Sequence, residues 1–109
     1  MVKVISTSEL KQKIDSNEKF YLIDVLAPQS YEVRHIPTAI NVVNGPEFAK
    51  QVVNHGVSKD DEVIVYCSSA TCGASPAAAM ALAKAGFTKV AHYKDGLAGW
   101  QDAGYEFET

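Results

Sequence analysis

Two short runs of β-branched and aromatic residues constrain the fold of this chain more than any other feature. They lie at residues 20–25 (FYLIDV) and 63–67 (VIVYC), and each is almost continuously apolar. Continuous apolar runs of this length are typical of strands that are buried on both faces. Weaker runs of the same kind predict further strands at residues 2–5, 39–43 and 89–93.

Helix signals separate these strand candidates. They are a capping box at Ser6 and Glu9, prolines suited to a first helical turn, and glycines suited to a helix end. They predict helices that begin after Ser6, at Pro28 and at Pro46, and two more at residues 74–85 and 97–103. Met80, Leu82 and the alanines around them are expected to pack the first of these two onto the sheet. Because strands alternate with helices, we predict an α/β fold with three layers, in which a mainly parallel five-stranded sheet is flanked by helices. The 109 residues suit one domain, which we assign to residues 1–109.

The charge and hydropathy of the chain exclude two classes of partner. The formal net charge is −3, which argues against a nucleic-acid binder that relies on a basic patch. No apolar run reaches the roughly 18 residues that a membrane helix needs. The start of the chain lacks the apolar core of a signal peptide. We therefore expect a cytoplasmic protein that binds neither nucleic acid nor membrane, and a monomer is the default expectation.

The segment at residues 66–73 (YCSSATCG) follows the best strand candidate and precedes the longest helix candidate. In an open α/β sheet this junction lies at the carboxyl ends of the strands, where ligands bind. A helix dipole there lowers the pKa of a thiol, which would make Cys67 a good nucleophile. No residue from Cys67 to Ala83 is charged, so loop amides, hydroxyls and the helix end would hold an anion. The alternative is that Cys67 is a core cysteine buried at a strand end.

The cysteines and histidines give no metal-binding pattern. Cys67 and Cys72 are too few for a disulfide scaffold or a four-cysteine zinc site. The three histidines do not show metal-ligand spacing with them, so we predict no metal. We expect His55 and His92 at the surface or at helix ends, and we expect His35 to hold a loop by hydrogen bonds.

Several segments of the chain resemble the small single-domain form of the rhodanese-like domains. The matching segments are residues 22–25 (LIDV), 31–32 (YE) followed by 35–41 (HIPTAIN), 65–67 (VYC), 85–90 (AGFTKV) and 96–100 (GLAGW). They occur in the order that the family has, and together they extend over nearly the whole chain. The resemblance implies the rhodanese-like fold.

The resemblance also implies a sulfurtransferase or sulfur carrier whose catalytic residue is Cys67. That cysteine would take the outer sulfur of a donor such as thiosulfate or a polysulfide and become a persulfide. Cyanide, a thiol or a protein acceptor would then remove the sulfur, and no metal or organic cofactor is needed. The substrate-binding residues would be Ser68, Ser69, Ala70, Thr71, Cys72 and Gly73. Asp24, expected to accept backbone N–H bonds, and His35 would support the site.

The chain departs from the family pattern in the catalytic loop. Active members often carry Arg or Lys where this chain has Cys72, and Ser where it has Gly73. Without a loop cation we expect thiosulfate to bind poorly, because one charged hydrogen bond is worth about 1.5–3 kcal/mol. Related phosphatases need an Arg at the position of Gly73 to clamp phosphate, so that activity is excluded. Other departures, where Arg or Gly is common in the family, are at Leu26, Arg34, Thr38 and Asp95.

Other interpretations of the loop stay open from the sequence. Cys72 could attack a persulfide on Cys67 and leave an intraloop disulfide, relay sulfur itself, or fill the first turn of the helix. A disulfide would need the two Cα atoms to lie within about 7 Å. The pair could instead form a thiol–disulfide redox switch. The missing loop cation also allows a non-catalytic rhodanese-like module that binds a protein partner.

Overall fold

The computed structural model describes residues 2–109, over which strands and helices alternate along the chain. The strands are β1 (Val2–Ile5), β2 (Tyr21–Asp24), β3 (Ile40–Asn41), β4 (Glu62–Tyr66) and β5 (Lys89–Tyr93). The helices are α1 (Thr7–Asp15), α2 (Pro28–Val33), α3 (Phe48–Asn54), α4 (Ala74–Lys84) and α5 (Gly96–Asp102). No helix within residues 2–109 is long and apolar enough to cross a membrane.

The strands form one parallel sheet in the order β1-β5-β4-β2-β3. Helices α3 and α4 contribute to the hydrophobic cluster on one face, and α1 and α5 contribute to the cluster on the other. The predicted three-layer α/β fold with a five-stranded sheet is therefore confirmed. Because all strands run in one direction, their carboxyl ends meet at one edge, which is where such sheets bind ligands.

Alternate residues of the central strand β4 point into different clusters. Val63, Val65 and the following Cys67 belong to the cluster with α3 and α4. Ile64 and Tyr66 belong to the cluster with α1 and α5. This period of two fixes the face toward which each side chain at the end of β4 points.

Two local predictions from the sequence are wrong. Met80 was expected to pack on the sheet, but it is 53% exposed, because Leu82 and neighbouring alanines occupy the inner face of α4. Pro46 was expected to open a helix, but it lies in a turn in which the N–H of Phe48 donates to the carbonyl of Gly45 (3.1 Å). Helix α3 therefore begins two residues later, at Phe48.

A turn between α2 and β3 carries a residue in the left-handed region. The N–H of Ala39 donates to the carbonyl of Ile36 (3.1 Å), and Pro37 and Thr38 lie between them. Thr38 has a φ of 75°, as a type II turn requires at its third residue. A non-glycine residue in this region costs about 1–2 kcal/mol, which gives a physical reason for the glycine common in rhodanese-like domains at this position.

Thr38→Gly is expected to raise the free energy of unfolding by about 0.5–1 kcal/mol, because relief of backbone strain exceeds the entropic cost of glycine. Urea unfolding at fixed pH measures the change. Thr88→Gly, at an exposed residue outside the left-handed region, is the control and should lower stability. A Thr38→Gly protein no more stable than the wild type would contradict the strain argument.

The start of α5 packs against the chain that leaves β4. Gly96 has a φ of 60°, and a Cβ there would overlap the carbonyl oxygen of Cys67 and lie 2.9 Å from the carbonyl carbon of Ser68. The N–H groups of Leu97 and Ala98 donate to the carbonyls of Cys67 and Ser68, at 3.0 and 2.9 Å. Helix α5 thus fixes the first two residues after β4.

Gly96→Ala is expected to lower the free energy of unfolding by about 2–4 kcal/mol, because it adds left-handed strain to a clash with rigid backbone. Gly45→Ala is the matched control, since a Cβ at Gly45 meets nothing within 4 Å. Urea unfolding of both variants measures the difference. Equal stabilities would show that α5 does not need this close approach.

Candidate active site

Cys67 is the first residue after β4, at the edge where the carboxyl ends of the strands meet. Its carbonyl and that of Ser68 point toward α5. A trans peptide directs its C=O and N–H in opposite directions. The N–H groups of Ser68 and Ser69 therefore point away from α5, and the loop of residues 67–73 presents amide donors on that side.

Helix α4 begins directly after the loop, with Gly73 as its N-cap. The first N–H groups of a helix have no intrahelical partner, and Pro76 carries none. The N–H of Ala77 donates to the carbonyl of Gly73 (3.4 Å), and within the loop the N–H of Cys72 donates to the carbonyl of Ser69 (3.1 Å). The positive end of the α4 dipole thus adjoins the loop.

The two cysteines of the loop are joined in a disulfide. Their Cα atoms are 6.4 Å apart, within the distance that a disulfide needs. Cys67 is 1% exposed and belongs to the core cluster with Val65 and Ala78, whereas Cys72 is half-buried. In this oxidised form the sulfur of Cys67 is closed off from solvent, as in a core cysteine, and a nucleophile here requires reduction of the disulfide.

Two buried polar residues for which the sequence predicts no functional role are linked to Cys67, Ser75 directly and His92 through Ser75. The Oγ of Ser75 lies 3.2 Å from the Sγ of Cys67 and 2.7 Å from the Nε2 of His92. The prediction that His92 lies at the surface or at a helix end is wrong, because it lies in β5 and is 8% exposed. Burial and the charge of Lys94 lower the pKa of His92.

One sequence signal could have placed His92 correctly. The alternation in β5 puts His92 on the same face as Val90, which belongs to the cluster with α4. No comparable local signal marks Ser75, since its contact depends on how closely α4 approaches β5. His55 is exposed at the end of α3, so that prediction is confirmed.

Asp24 is fully buried at the end of β2, where it links three segments. Its Oδ1 accepts the N–H of Leu26 (2.9 Å), and its Oδ2 accepts the hydroxyl of Tyr66 (2.9 Å). That hydroxyl oxygen accepts the N–H of Ile36 (3.1 Å). Burial raises the pKa of Asp24, although these hydrogen bonds oppose the shift. Burial and the nearby Asp24 also raise the pKa of Tyr66, so the hydroxyl keeps its proton.

His35 contacts α2 and the end of the chain. Its Nδ1 lies 2.9 Å from the carbonyl oxygen of Tyr31, and the two rings stack with centroids 3.8 Å apart. Its backbone exchanges two hydrogen bonds with Glu108, each of 2.9 Å. These contacts hold the segment that leads to β3. Asp24 and His35 thus form their hydrogen bonds with the backbone and with Tyr66 rather than with the sulfur of Cys67.

The groove beside the loop is acidic. It has a volume of about 700 Å³, and its lining includes Ser69 and Thr71 of the loop and two carboxylates, Asp95 and Asp102. The charged side chains of this groove therefore repel an anionic ligand. Within residues 2–109 no group of three or more His, Cys, Asp or Glu side chains is placed to hold a metal ion.

A cation lies beside another part of the loop, at Ser68. Arg34 and Ser68 line a second groove, of about 400 Å³. The guanidinium of Arg34 donates to Oε1 of Gln101 (2.5 Å) and lies 4.7 Å from the centre of the Phe107 ring. The guanidinium therefore already contacts Gln101 in α5 and Phe107 near the end of the chain.

Comparisons with known proteins agree with this architecture. The family model for the rhodanese-like domain matches residues 6–103. The Bacillus subtilis protein named "Putative sulfur carrier protein YrkF" is 33% identical over 96 residues, which cover 88% of this chain and 49% of that protein. The chain spans about half or less of the length of the curated relatives that it matches first.

Solved structures share the fold over almost the whole chain. The rhodanese-like domain of an Anabaena protein has a TM-score of 0.85 and 25% identity, covering 99% of this chain and 80% of that domain. A thiosulfate sulfurtransferase from Pseudomonas aeruginosa has a TM-score of 0.85 and 26% identity, covering 98% of this chain and 20% of that enzyme. With the sheet, the motifs and these matches in agreement, the chain belongs to the family of rhodanese-like domains, which includes proteins named for sulfur carriage and sulfur transfer.

Proposed function

We propose that the reduced form of this protein transfers sulfane sulfur through a persulfide on Cys67. In the first half-reaction the Cys67 thiolate attacks the outer sulfur of a polysulfide. A sulfur–sulfur bond forms on Cys67, the bond inside the donor breaks, and the shortened polysulfide leaves with the electron pair. In the second half-reaction a thiolate acceptor attacks the outer sulfur of the persulfide, and the Cys67 thiolate is released.

The observation that carries this proposal is the place of Cys67 between the end of β4 and the start of α4. Helix α4 has 11 residues, and the positive end of its dipole stabilises a nearby thiolate over the thiol. The amides of Ser68 and Ser69, which point away from α5, are available as donors to a persulfide anion. The proposed substrate-binding residues are those of the loop, Ser68, Ser69, Ala70, Thr71, Cys72 and Gly73.

The charges near the loop favour a polysulfide over thiosulfate as the donor. The loop itself has no cation, and the adjoining groove carries Asp95 and Asp102. A compact dianion such as thiosulfate at the loop is repelled by these nearby carboxylates and has no loop cation with which to form a salt bridge. A polysulfide spreads its charge over several sulfur atoms, so it loses less hydration free energy than thiosulfate when it leaves water.

The names of the relatives agree with sulfur carriage as the class of activity. One is named as a sulfur carrier and another as a thiosulfate sulfurtransferase. Because the chain spans only about half of the first and a fifth of the second, we propose the acceptor by its chemistry, as a thiol or a protein thiolate. We propose the cytoplasm as the compartment, since its thiol pool keeps cysteines reduced.

Reduced Cys72→Ser protein is expected to gain one sulfur atom from inorganic polysulfide, because Cys67 is then the only thiol in the chain. Intact-mass spectrometry measures the gain, and reduced Cys67→Ser is the matched control that should gain none. Thiosulfate should load Cys67 at least about tenfold more slowly, since a missing charged hydrogen bond is worth about 1.5–3 kcal/mol.

Two other results would lead to different conclusions. If Cys67 reacts with iodoacetamide like an ordinary thiol and no donor leaves an adduct, the chain is a non-catalytic module that binds a protein partner. If thiosulfate and polysulfide load Cys67 equally fast, sulfur transfer stands but the electrostatic choice of donor is wrong.

The disulfide favours a second role for the same loop, in which Cys72 resolves the persulfide. The Cys72 thiolate would attack the inner sulfur, which is the Sγ of Cys67. The bond between the two cysteines forms and the bond to the outer sulfur of the protonated persulfide breaks, so that this sulfur leaves as hydrosulfide with its proton and the electron pair. The product is the disulfide found here, with Cα atoms 6.4 Å apart. A dithiol reductant would restore both thiols, so the loop would also act as a thiol–disulfide switch.

Wild-type protein loaded with polysulfide and freed of excess donor is expected to release hydrosulfide and form the Cys67–Cys72 disulfide. Its persulfide should decay at least about tenfold faster than that of Cys72→Ser, because the second thiol is held at high effective concentration. A colorimetric sulfide assay and non-reducing peptide mapping follow the two products. His55→Gln, at the exposed end of α3, keeps both cysteines and should behave as the wild type, whereas equal persulfide lifetimes in wild type and Cys72→Ser would exclude resolution by Cys72.

A further inference from the structure

Three buried side chains form a row that leads inward from the loop. The Oγ of Ser75 lies between the Sγ of Cys67 (3.2 Å) and the Nε2 of His92 (2.7 Å). Ser75 is 1% exposed and His92 is 8% exposed. The row joins the end of β4, the first turn of α4 and the interior of β5. Once the disulfide is reduced, a thiol, a hydroxyl and an imidazole in this order are the components of a proton relay.

We propose that Ser75 and His92 take up and return the proton of the Cys67 thiol during sulfur transfer. Ser75 contacts the reacting sulfur, and His92 is a positioning residue that acts through Ser75. This inference rests on the proposed function, because it assigns the residues that set the charge of the same sulfur.

Each transfer through the relay moves one proton in total from the sulfur to the imidazole and leaves one negative and one positive charge. In the thiol form the S–H of Cys67 donates to the Oγ of Ser75, whose hydroxyl donates to the unprotonated Nε2 of His92. One proton leaves the sulfur for Oγ, and the serine's own proton passes to Nε2. The products are a thiolate, an intact hydroxyl and an imidazolium. The hydrogen bonds then run the other way, from Nε2–H to Oγ and from the hydroxyl to the thiolate, and they are now charge-assisted.

The charged groups near His92 come from few elements. Lys94, just after β5, acts on the ring through its positive charge. Helix α4 carries no charged residue before Lys84 at its far end. The neighbouring strands place Val4 and Val65 beside His92 in register. The loop contributes its two cysteines as the remaining titratable groups.

This environment leaves the imidazole ready to accept a proton. Burial and the charge of Lys94 lower the pKa of His92, so its ring is neutral at neutral pH while the sulfur is uncharged. A thiolate at Cys67 opposes the field of Lys94 and stabilises the imidazolium. The two groups therefore ionise together, and the small exposed fraction of His92 lets the ring exchange its proton with solvent.

A purely structural role for the row makes a different prediction. In that case Ser75 and His92 only satisfy each other's hydrogen bonds in the core, and the ionisation of Cys67 does not depend on either. The pH profile of Cys67 reactivity separates the two roles, because only a relay couples the thiol to the imidazole.

The test follows the alkylation of Cys67 by iodoacetamide against pH in reduced Cys72→Ser protein, by intact mass and without any sulfur donor. Ser75→Ala removes the hydroxyl and is expected to slow alkylation at pH 7 about tenfold, which corresponds to one pKa unit. His92→Gln keeps a side chain that can bond Ser75 but cannot take up a proton, and it should slow alkylation similarly. Ser75→Thr keeps the hydroxyl and should retain the parental rate. His55→Gln, at the exposed end of α3, is the matched control and should leave the profile unchanged.

Unchanged profiles in Ser75→Ala and His92→Gln would overturn the relay, as would equal slowing by Ser75→Thr and Ser75→Ala. Thermal unfolding checks that each variant is folded, and His92→Gln decides the outcome if Ser75→Ala does not fold. Failure of the proposed function gives a different result. If the variants shift the alkylation profile while polysulfide adds no sulfur to Cys67, the relay stands and sulfur transfer is wrong.

Discussion

Two hydrogen bonds from the first turn of α5 to the carbonyls of Cys67 and Ser68 hold the loop in the orientation on which the rest of the site depends. The backbone of α5 can approach this closely because Gly96 has no side chain at the point of contact. With these carbonyls bound to α5, the amides of the same two peptides face the opposite side. One contact between backbones therefore both anchors the loop and orients its donors, and it does so without any charged residue.

The opposite face of the sheet fixes the direction in which Cys67 points. The hydroxyl of Tyr66 is held between the carboxylate of Asp24 and the N–H of Ile36, all of them buried. Since successive side chains of a strand point to opposite faces, a fixed Tyr66 directs the next residue toward α4. There Cys67 meets Ser75. Asp24 thus influences the direction of the Cys67 side chain indirectly, through Tyr66, without contacting the sulfur.

Local sequence patterns predicted the order of the elements because each element carries its own signal. The capping box at Ser6 and Glu9 forms as predicted, and the β-branched runs form the strands. The contact between Ser75 and His92 joins residues 17 apart on different elements, so no local pattern specifies it. The orientation of Met80 was missed because the alanines of α4 give its two faces similar hydropathy. The disulfide between Cys67 and Cys72 is a further contact that the spacing of the two residues permits without requiring.

The lack of a loop cation changes what must stabilise a sulfur anion in this site. An Arg or Lys would supply a fixed positive charge at every working pH, and it would favour a dianion as well as a monoanion. The donors here are amides, hydroxyls and the dipole of α4, and a helix dipole contributes only about 0.3–2 kcal/mol for one charge. Asp95 and Asp102 further raise the cost of each added negative charge. Such surroundings suit an anion whose single charge lies on large, weakly hydrated sulfur atoms, as in a thiolate or persulfide. The imidazole of His92, which contacts Ser75, complements the amides, hydroxyls and helix dipole. It becomes positive only when it has taken the proton from the sulfur.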